Sequence, residues 1–467
     1  MSIRIITTVI CILLTSNSFS QLKTENDSIT LPTIYIETED NKEPTCEMVE
    51  HPEGSFGIGI KNNKKVPGRA IIKHRTDTLY DSGEYENDKS GITIRVRGNT
   101  SAGYDKKSFK IKLQKSCDLL FRNDSSFYDK DWILLRAGGE LLTTTGFLVN
   151  SIINKKQWTP NYKYVNLFLN EDYRGIYILC ESIEREKNCR IYVDKIEGYI
   201  FELDPYWWLE DVYFDTSFTD ATKRFTFKYP DSDEIEPYQI EYLKLYMDET
   251  EKAIREGYYP DYIDVESFAR WIIAHDYLGT WDSAGSNIYM IKKDYNSKVE
   301  MATIWDFDMI MKTNNQWARV HNDYFYYNML FNNINKEFVR TYKNIWNETK
   351  EISYKAIIDS LNAFCNSYEG VALDKSIPYD NARWGYSNLP VDKQINEIIK
   401  WFINRRDWLD IAINELNDTD NYDNIDFIKT DEYKENRIYD IYGRKVDNPQ
   451  QGIYIINGKK IIVSRQQ

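Results

Sequence analysis

Cysteine and histidine are scarce, and neither falls into a ligand pattern. The chain holds six cysteines and four histidines in 467 residues. No CxxC, HxH or HExxH occurs, so the spacings of zinc sites are absent. Cys11 lies in an N-terminal apolar run. The others, Cys46, Cys117, Cys180, Cys189 and Cys365, are odd in number. That argues against a disulfide framework, though a single bridge such as Cys180–Cys189 stays open. Also lacking is the phosphate-loop motif G-x-x-x-x-G-K-[ST], and no G-x-G-x-x-G follows a strand pattern. The standard nucleotide folds are therefore without their fingerprint. Positive charge is in deficit, with 59 Lys and Arg against 73 Asp and Glu for a net charge of −14. General nucleic-acid binding needs the opposite balance. No apolar run reaches membrane-spanning length, and no long repeat is present.

What is there begins with an export signal. Arg4 precedes the apolar run "IITTVICILL" and the small polar "TSNSFS", the order of a secretory signal peptide over 1–20. A short linker (21–30) leads to strand-like runs: "LPTIYIET", "GITIRVRG", "SFKIKL", "DWILLR", "KYVNLFL", "GIYILCE" and "GYIFELD". Among them "TTTGFLVNSIINKK" reads as a helix. Later, apolar residues recur at helical spacing in "YQIEYLKLYMDETEKAIREG" and "DVESFARWIIAHDYLGTW". "VDKQINEIIKWFINRRDWLDIAINEL" reads as one long helix or two short ones. A β-rich first half and a helical second half predict an α+β, two-lobed domain over 31–416. The acidic, apolar-poor "NDTDNYDNID" marks a linker (417–432). Beyond it, Asn457-Gly458 between alternating apolar runs signals a hairpin.

The chemistry concentrates in "IWDFDMI", Ile304–Ile310. Aspartates rarely sit among so many apolar residues without a partner. Read as a strand, the segment turns Asp306 and Asp308 to one face and Phe307 to the other. Upstream, Asp282 and Asn287 have the D-x-x-x-x-N spacing of a protein-kinase catalytic loop, and Asp306 follows where a kinase places its metal-binding aspartate. In "IRVRGNTSAGYDKKSFKIKL", a turn of small residues leads into a lysine-bearing strand. Phe109, Ile111 and Leu113 are expected to face the core, with Ser108, Lys110 and Lys112 opposite. Small-residue turns and ammonium groups suit phosphate, although a solvated lysine face is the more ordinary outcome for such a strand.

Several segments, in order, resemble the spore coat protein H (CotH) kinase-like family: "RVRGNTS…KKSFKIKL", "DWILLRAGGELL", "KYVNLFLNEDYRGIYILCESIER", "GYIFELD", "SNIYMIKK" and "IWDFDM". The resemblance implies an atypical kinase-like fold, ATP with Mg²⁺ or Mn²⁺, and phosphate transfer to hydroxyls of a protein substrate. It assigns Asp282 the catalytic position, Asp306 the metal, Asn287 a second metal ligand and Asp308 a supporting acid. Lys107 and Lys110 are candidates for the phosphate-contacting lysine. Glu181 orients that lysine or serves as a structural acid. Glu202, with Asp204, matches an acidic strand end near the nucleotide. Glu140 stands where relatives have an acid, but Thr145-Gly146 replaces their common Arg-Asn pair. That departure favours the alternative, a catalytically inactive surface or adhesion protein binding glycans or proteins; the 36 tyrosines can stack on sugars, although packing is the more ordinary use of them. A glycoside hydrolase ranks last, because nothing fixes two carboxylates across a sugar. The C-terminal stretch "IYDIYGRKV…GIYIINGKKIIV" resembles the sorting domain (433–467) of the type IX secretion system. That resemblance implies passage across the outer membrane by the type IX machinery and a secreted or cell-surface product.

Overall fold

The computed structural model describes residues 29–418 except 54, 56–58, 138, 187–188, 217–222, 281–285, 308, 312–324 and 333. Beyond these it describes 438–440, 446–450, 452–456 and 459–463. The signal segment, Asp282 and Asp308 lie outside the described residues. The chain divides into two compact units, Met1–Leu416 and Asn417–Gln467.

The first unit opens with β1 (Thr33–Thr38), β2 (Glu47–Met48), β3 (Ile60–Lys61), β4 (Val66–His74), β5 (Asp77–Asp81) and β6 (Ile92–Arg97). There follow β7 (Ser108–Cys117), β8 (Asp129–Arg136), helix α1 (Leu142–Ile153), β9 (Tyr162–Leu169) and β10 (Asp172–Glu181). β2 and β3 pair only with each other, and the rest form one sheet in the order β1-β9-β10-β8-β7-β6-β4-β5. β4 also pairs with β1, Thr33 opposite Lys73 through Thr38 opposite Gly68, which closes the sheet into a barrel. Side-chain alternation fills it. Phe109, Ile111 and Leu113 join Ile94, Val96, Trp132 and Leu134 in one core. On the opposite face, Ile133, Ile176 and Ile178 belong to a second core shared with the helices.

That second core is built on β11 (Tyr199–Leu203), β12 (Tyr213–Thr216), β13 (Lys223–Tyr229), β14 (Ile288–Lys292) and β15 (Val299–Ile304). These form an antiparallel sheet in the order β12-β13-β11-β14-β15. The helices are α2 (Pro237–Glu256), α3 (Val265–Leu278), α4 (Phe325–Leu330), α5 (Lys336–Cys365), α6 (Tyr368–Trp384) and α7 (Val391–Asn414). Every residue of α3 from Ser267 to Leu278 is buried, which explains why apolar residues occupy all sides of it: it runs through the core instead of across a surface. The Asp264 carboxylate accepts from Ser267 N–H at its start, and Gly279 ends it at φ 58. A Cβ at Gly279 would lie 2.6 Å from Trp401, so only glycine fits that turn.

The molecule is thus mixed α+β, with a β-rich first half and a helical second half. α7 is a single helix. The sequence reading missed α5 and α6, and did not separate β4, β5, β12 and β13. The five cysteines are free thiols, Cys180 and Cys189 included. Among the described residues no helix is long and apolar enough to cross a membrane.

In the second unit, β16 (Ile438–Asp440), β17 (Gly452–Ile456) and β18 (Lys459–Val463) form a three-stranded antiparallel sheet. Ile456 opposite Lys459 leaves a two-residue connection. Its Asn457 and Gly458 lie outside the described residues.

Candidate functional site

One end of the five-stranded sheet gathers the acidic motif. Leu203, the last residue of β11, pairs with Ile288, the first of β14; Ile288 pairs with Ile304, the last of β15. Asp204, Asn287 and Trp305-Asp306 therefore leave the sheet at the same end. Asn287 (φ 59) and Asp306 (φ 68) both adopt the left-handed conformation. Asn and Asp tolerate it better than other non-glycine residues, and such positions cluster at functional sites. Asn287 Nδ2 donates to Ser286 Oγ at 3.2 Å. Asp204 is tied into its own turn, accepting from Tyr206 N–H at 2.8 Å and Thr226 Oγ1 at 3.0 Å.

The reading of "IWDFDMI" as a strand is corrected here. β15 stops at Ile304, and the positive φ at Asp306 breaks the two-residue alternation on which a shared face for both aspartates depended. Asp306 is exposed between buried Trp305 and Phe307. Phe307 is pinned by α1: its ring meets Phe147 edge-on at 5.4 Å. A Cβ on Gly146 would come within 2.2 Å of that ring. The Thr145-Gly146 departure thus has a structural consequence, because the missing side chain at Gly146 is the space Phe307 occupies. Thr145 is buried with its Oγ1 unbonded.

Across from Asp306, three neighbouring strands contribute their ends. Arg97 pairs with Ser108 across β6 and β7, and Ser108 Oγ accepts from Arg136 N–H at 3.1 Å. Arg97, Ser108, Arg136 and Thr143 line one cleft with Trp305, Asp306 and Phe307. The Arg97 guanidinium lies over the Trp305 ring at 5.1 Å and that of Arg136 over Tyr104 at 4.4 Å. Sequence reasoning missed both arginines. Each closes a strand-like run, but nothing local says that these strand ends converge on the aspartate.

The lysines point elsewhere. Lys107 Nζ donates to the carbonyls of Ala102 and Tyr104, each at 2.9 Å. Lys110 Nζ binds Glu184 at 2.6 Å and Asp131 at 3.0 Å. Asp129, Asp131 and Glu184 form a carboxylate cluster with ligand atoms within 4.8 Å of one another. Lys110 neutralises it, and Arg190 lies 3.5 Å from Asp129. Burial pushes Glu184 up to about 7, against the Lys110 charge. Buried Glu181 holds arginines: Arg122 at 2.6 Å and Arg190 at 2.9 Å, and it also accepts from Asn161 N–H at 2.9 Å. No lysine bonds it among the described residues. Glu202 meets Lys228 at 3.1 Å, and burial raises its carboxyl to about 7.

The family model described as CotH kinase protein matches residues 94–409. No curated protein matches the chain. The matched span takes in the barrel's β6–β10, both arginines of the cleft, the five-stranded sheet and the Asn287 and Asp306 turns, well over half of the sequence. The chain belongs to the CotH kinase family.

Proposed function

We propose that this protein is an exported atypical protein kinase that transfers the γ-phosphate of ATP to protein hydroxyls with Mg²⁺ or Mn²⁺. The observation that carries the reading is the order of parts at the acidic sheet end. The buried helix α3 ends at Leu278, and Asp282 and then Asn287 follow it in the chain. The hairpin β14–β15 follows and delivers Asp306 to the same sheet end as Asn287. A protein kinase uses the same order for its catalytic loop, metal-binding amide and metal-binding acid. The barrel then forms one lobe, and the five-stranded sheet with the helices, α1 among them, forms the other.

The residues present fit a hard divalent cation with nucleotide phosphates. Asp306 offers an exposed carboxylate and Asn287 an amide oxygen at one strand end, the oxygen donors such ions take. Asn287 and Asp306 would hold the metal, supported by Asp308. When bound, the metal supplies positive charge to the phosphates as they transfer. Asp282 orients the acceptor hydroxyl and takes its proton. The signal segment and the three-stranded C-terminal unit support export through the type IX machinery to the surface or medium.

The test is thermal unfolding of the full chain and Asp306→Ala with Mg²⁺ or Mn²⁺, with and without ATP. Ligand at a hundredfold its dissociation constant stabilises by about 2.7 kcal/mol, a midpoint rise of a few degrees. The rise is expected in the wild type and absent in Asp306→Ala, which still folds because the side chain is exposed. A folded wild type indifferent to ATP and metal would sink the kinase reading and favour the inactive surface protein.

A further inference from the structure

We propose that Arg97, seconded by Arg136, is the cation that grips the nucleotide's phosphates; this rests on the kinase reading and deepens it. The lysines flanking the Gly/Ser/Thr turn are already engaged. Lys106 is 1% exposed and bonded to buried Asp380 at 2.6 Å. Lys107 is held by two backbone carbonyls and Lys110 by two carboxylates. Drawing Lys106 or Lys110 toward a ligand would leave half-buried or buried carboxylates uncompensated, which is costly.

Arg97 differs. It is half-buried, forms no ion pair with a described residue, and lies over the indole of Trp305. The ring orients the guanidinium while leaving its N–H fork to a ligand. Because Trp305 directly precedes Asp306, the stack fixes the distance between this cation and the acid across one cleft. A guanidinium stays charged at all relevant pH and meets a phosphate through two parallel hydrogen bonds. Arg136 on the same wall adds a second positive charge, and the Ser108 and Thr143 hydroxyls add neutral donors. A cleft with two arginines facing a carboxylate suits a phosphate chain that meets its metal on the acidic side.

The experiment is calorimetric titration of the full chain with Mg·ATP and, separately, with inorganic tripolyphosphate. Wild type is compared with Arg97→Ala, Arg97→Lys, Lys107→Met, Lys110→Met and the exposed charge control Lys112→Ala. Loss of hydrogen bonds to a charged group predicts that Arg97→Ala weakens both ligands about 10–100-fold. Arg97→Lys keeps the charge without the fork and recovers part of that loss. Unchanged affinity in a folded Arg97→Ala, with loss in Lys107→Met or Lys110→Met, overturns the proposal and leaves the kinase reading intact. Tripolyphosphate binding that needs Arg97, without any preference for ATP, upholds the phosphate site and sinks the kinase reading. Binding of neither ligand overturns both.

Discussion

The barrel and the acidic sheet end handle charge in opposite ways. On the barrel, cations and acids are matched at short range: Glu181 with Arg122 and Arg190, Lys110 with Asp131 and Glu184, Lys106 with Asp380. At the sheet end, Asp306 stands exposed on a strained turn, and Arg97 faces it with no ion pair to a described residue. Buried charges matched to one another hold a fold in place. A cation such as Arg97, without an ion pair to a described residue, keeps binding capacity for something that comes and goes. The difference separates residues whose loss unfolds the chain from residues whose loss disarms it.

The largest effect should come from breaking the matched side. Glu181→Ala leaves two arginine contacts unanswered, Arg190 being fully buried, and should cost about 3–5 kcal/mol in urea unfolding. Next comes the joint between the regions. Gly146→Val forces a branched side chain into the Phe307 ring and should destabilise by about 1–3 kcal/mol. It should also weaken Mg·ATP binding, because Phe307 moves with Asp306; a loss of stability with unchanged affinity would uncouple the two.

A pH effect follows from Glu202. Its folded carboxyl titrates near 7 against an ordinary 4.5, so between those values the folded chain keeps a proton that the unfolded chain has lost. That contribution is full below about pH 4.5 and disappears as the pH rises through 7, at no more than about 1.4 kcal/mol per pH unit. Glu202→Gln should flatten this slope in unfolding midpoints measured from pH 4.5 to 8. Lys112→Ala should do least. Its side chain is 49% exposed and 3.8 Å from Asp131, and a loss beyond about 0.5 kcal/mol would show that the carboxylate cluster relies on it.

Period-two alternation made strands such as β1 and β6 legible, because one face of each fills the barrel core and the other is less buried. "SFKIKL" turned its apolar residues inward as its pattern required. α5 was harder to see: Phe338, Val339, Tyr342, Ile345 and Trp346 bury one stripe, but the stripe thins to Ser353, Ile357 and Leu361 among many polar residues. α6 carries Pro378 in its interior, a residue that normally signals a helix end. Packing of this helix on β10, through Asp380 accepting from Ile176 N–H at 2.7 Å, prevails over that local signal.

The chemistry of "IWDFDMI" is legible from its residue types alone, and so is its position after Asp282 and Asn287. The sequence by itself determined the α+β division, the spacing of the acids and the strands that carry the lysines, because each depends on residues near one another in the chain. Only the tertiary structure decided that β4 returns to β1 to close a barrel, that Lys110 is consumed by carboxylates from β8 and the segment after β10, and that Arg97 and Arg136 face Asp306. Those outcomes depend on which strand ends meet, and long-range register is set by packing that no local spacing encodes.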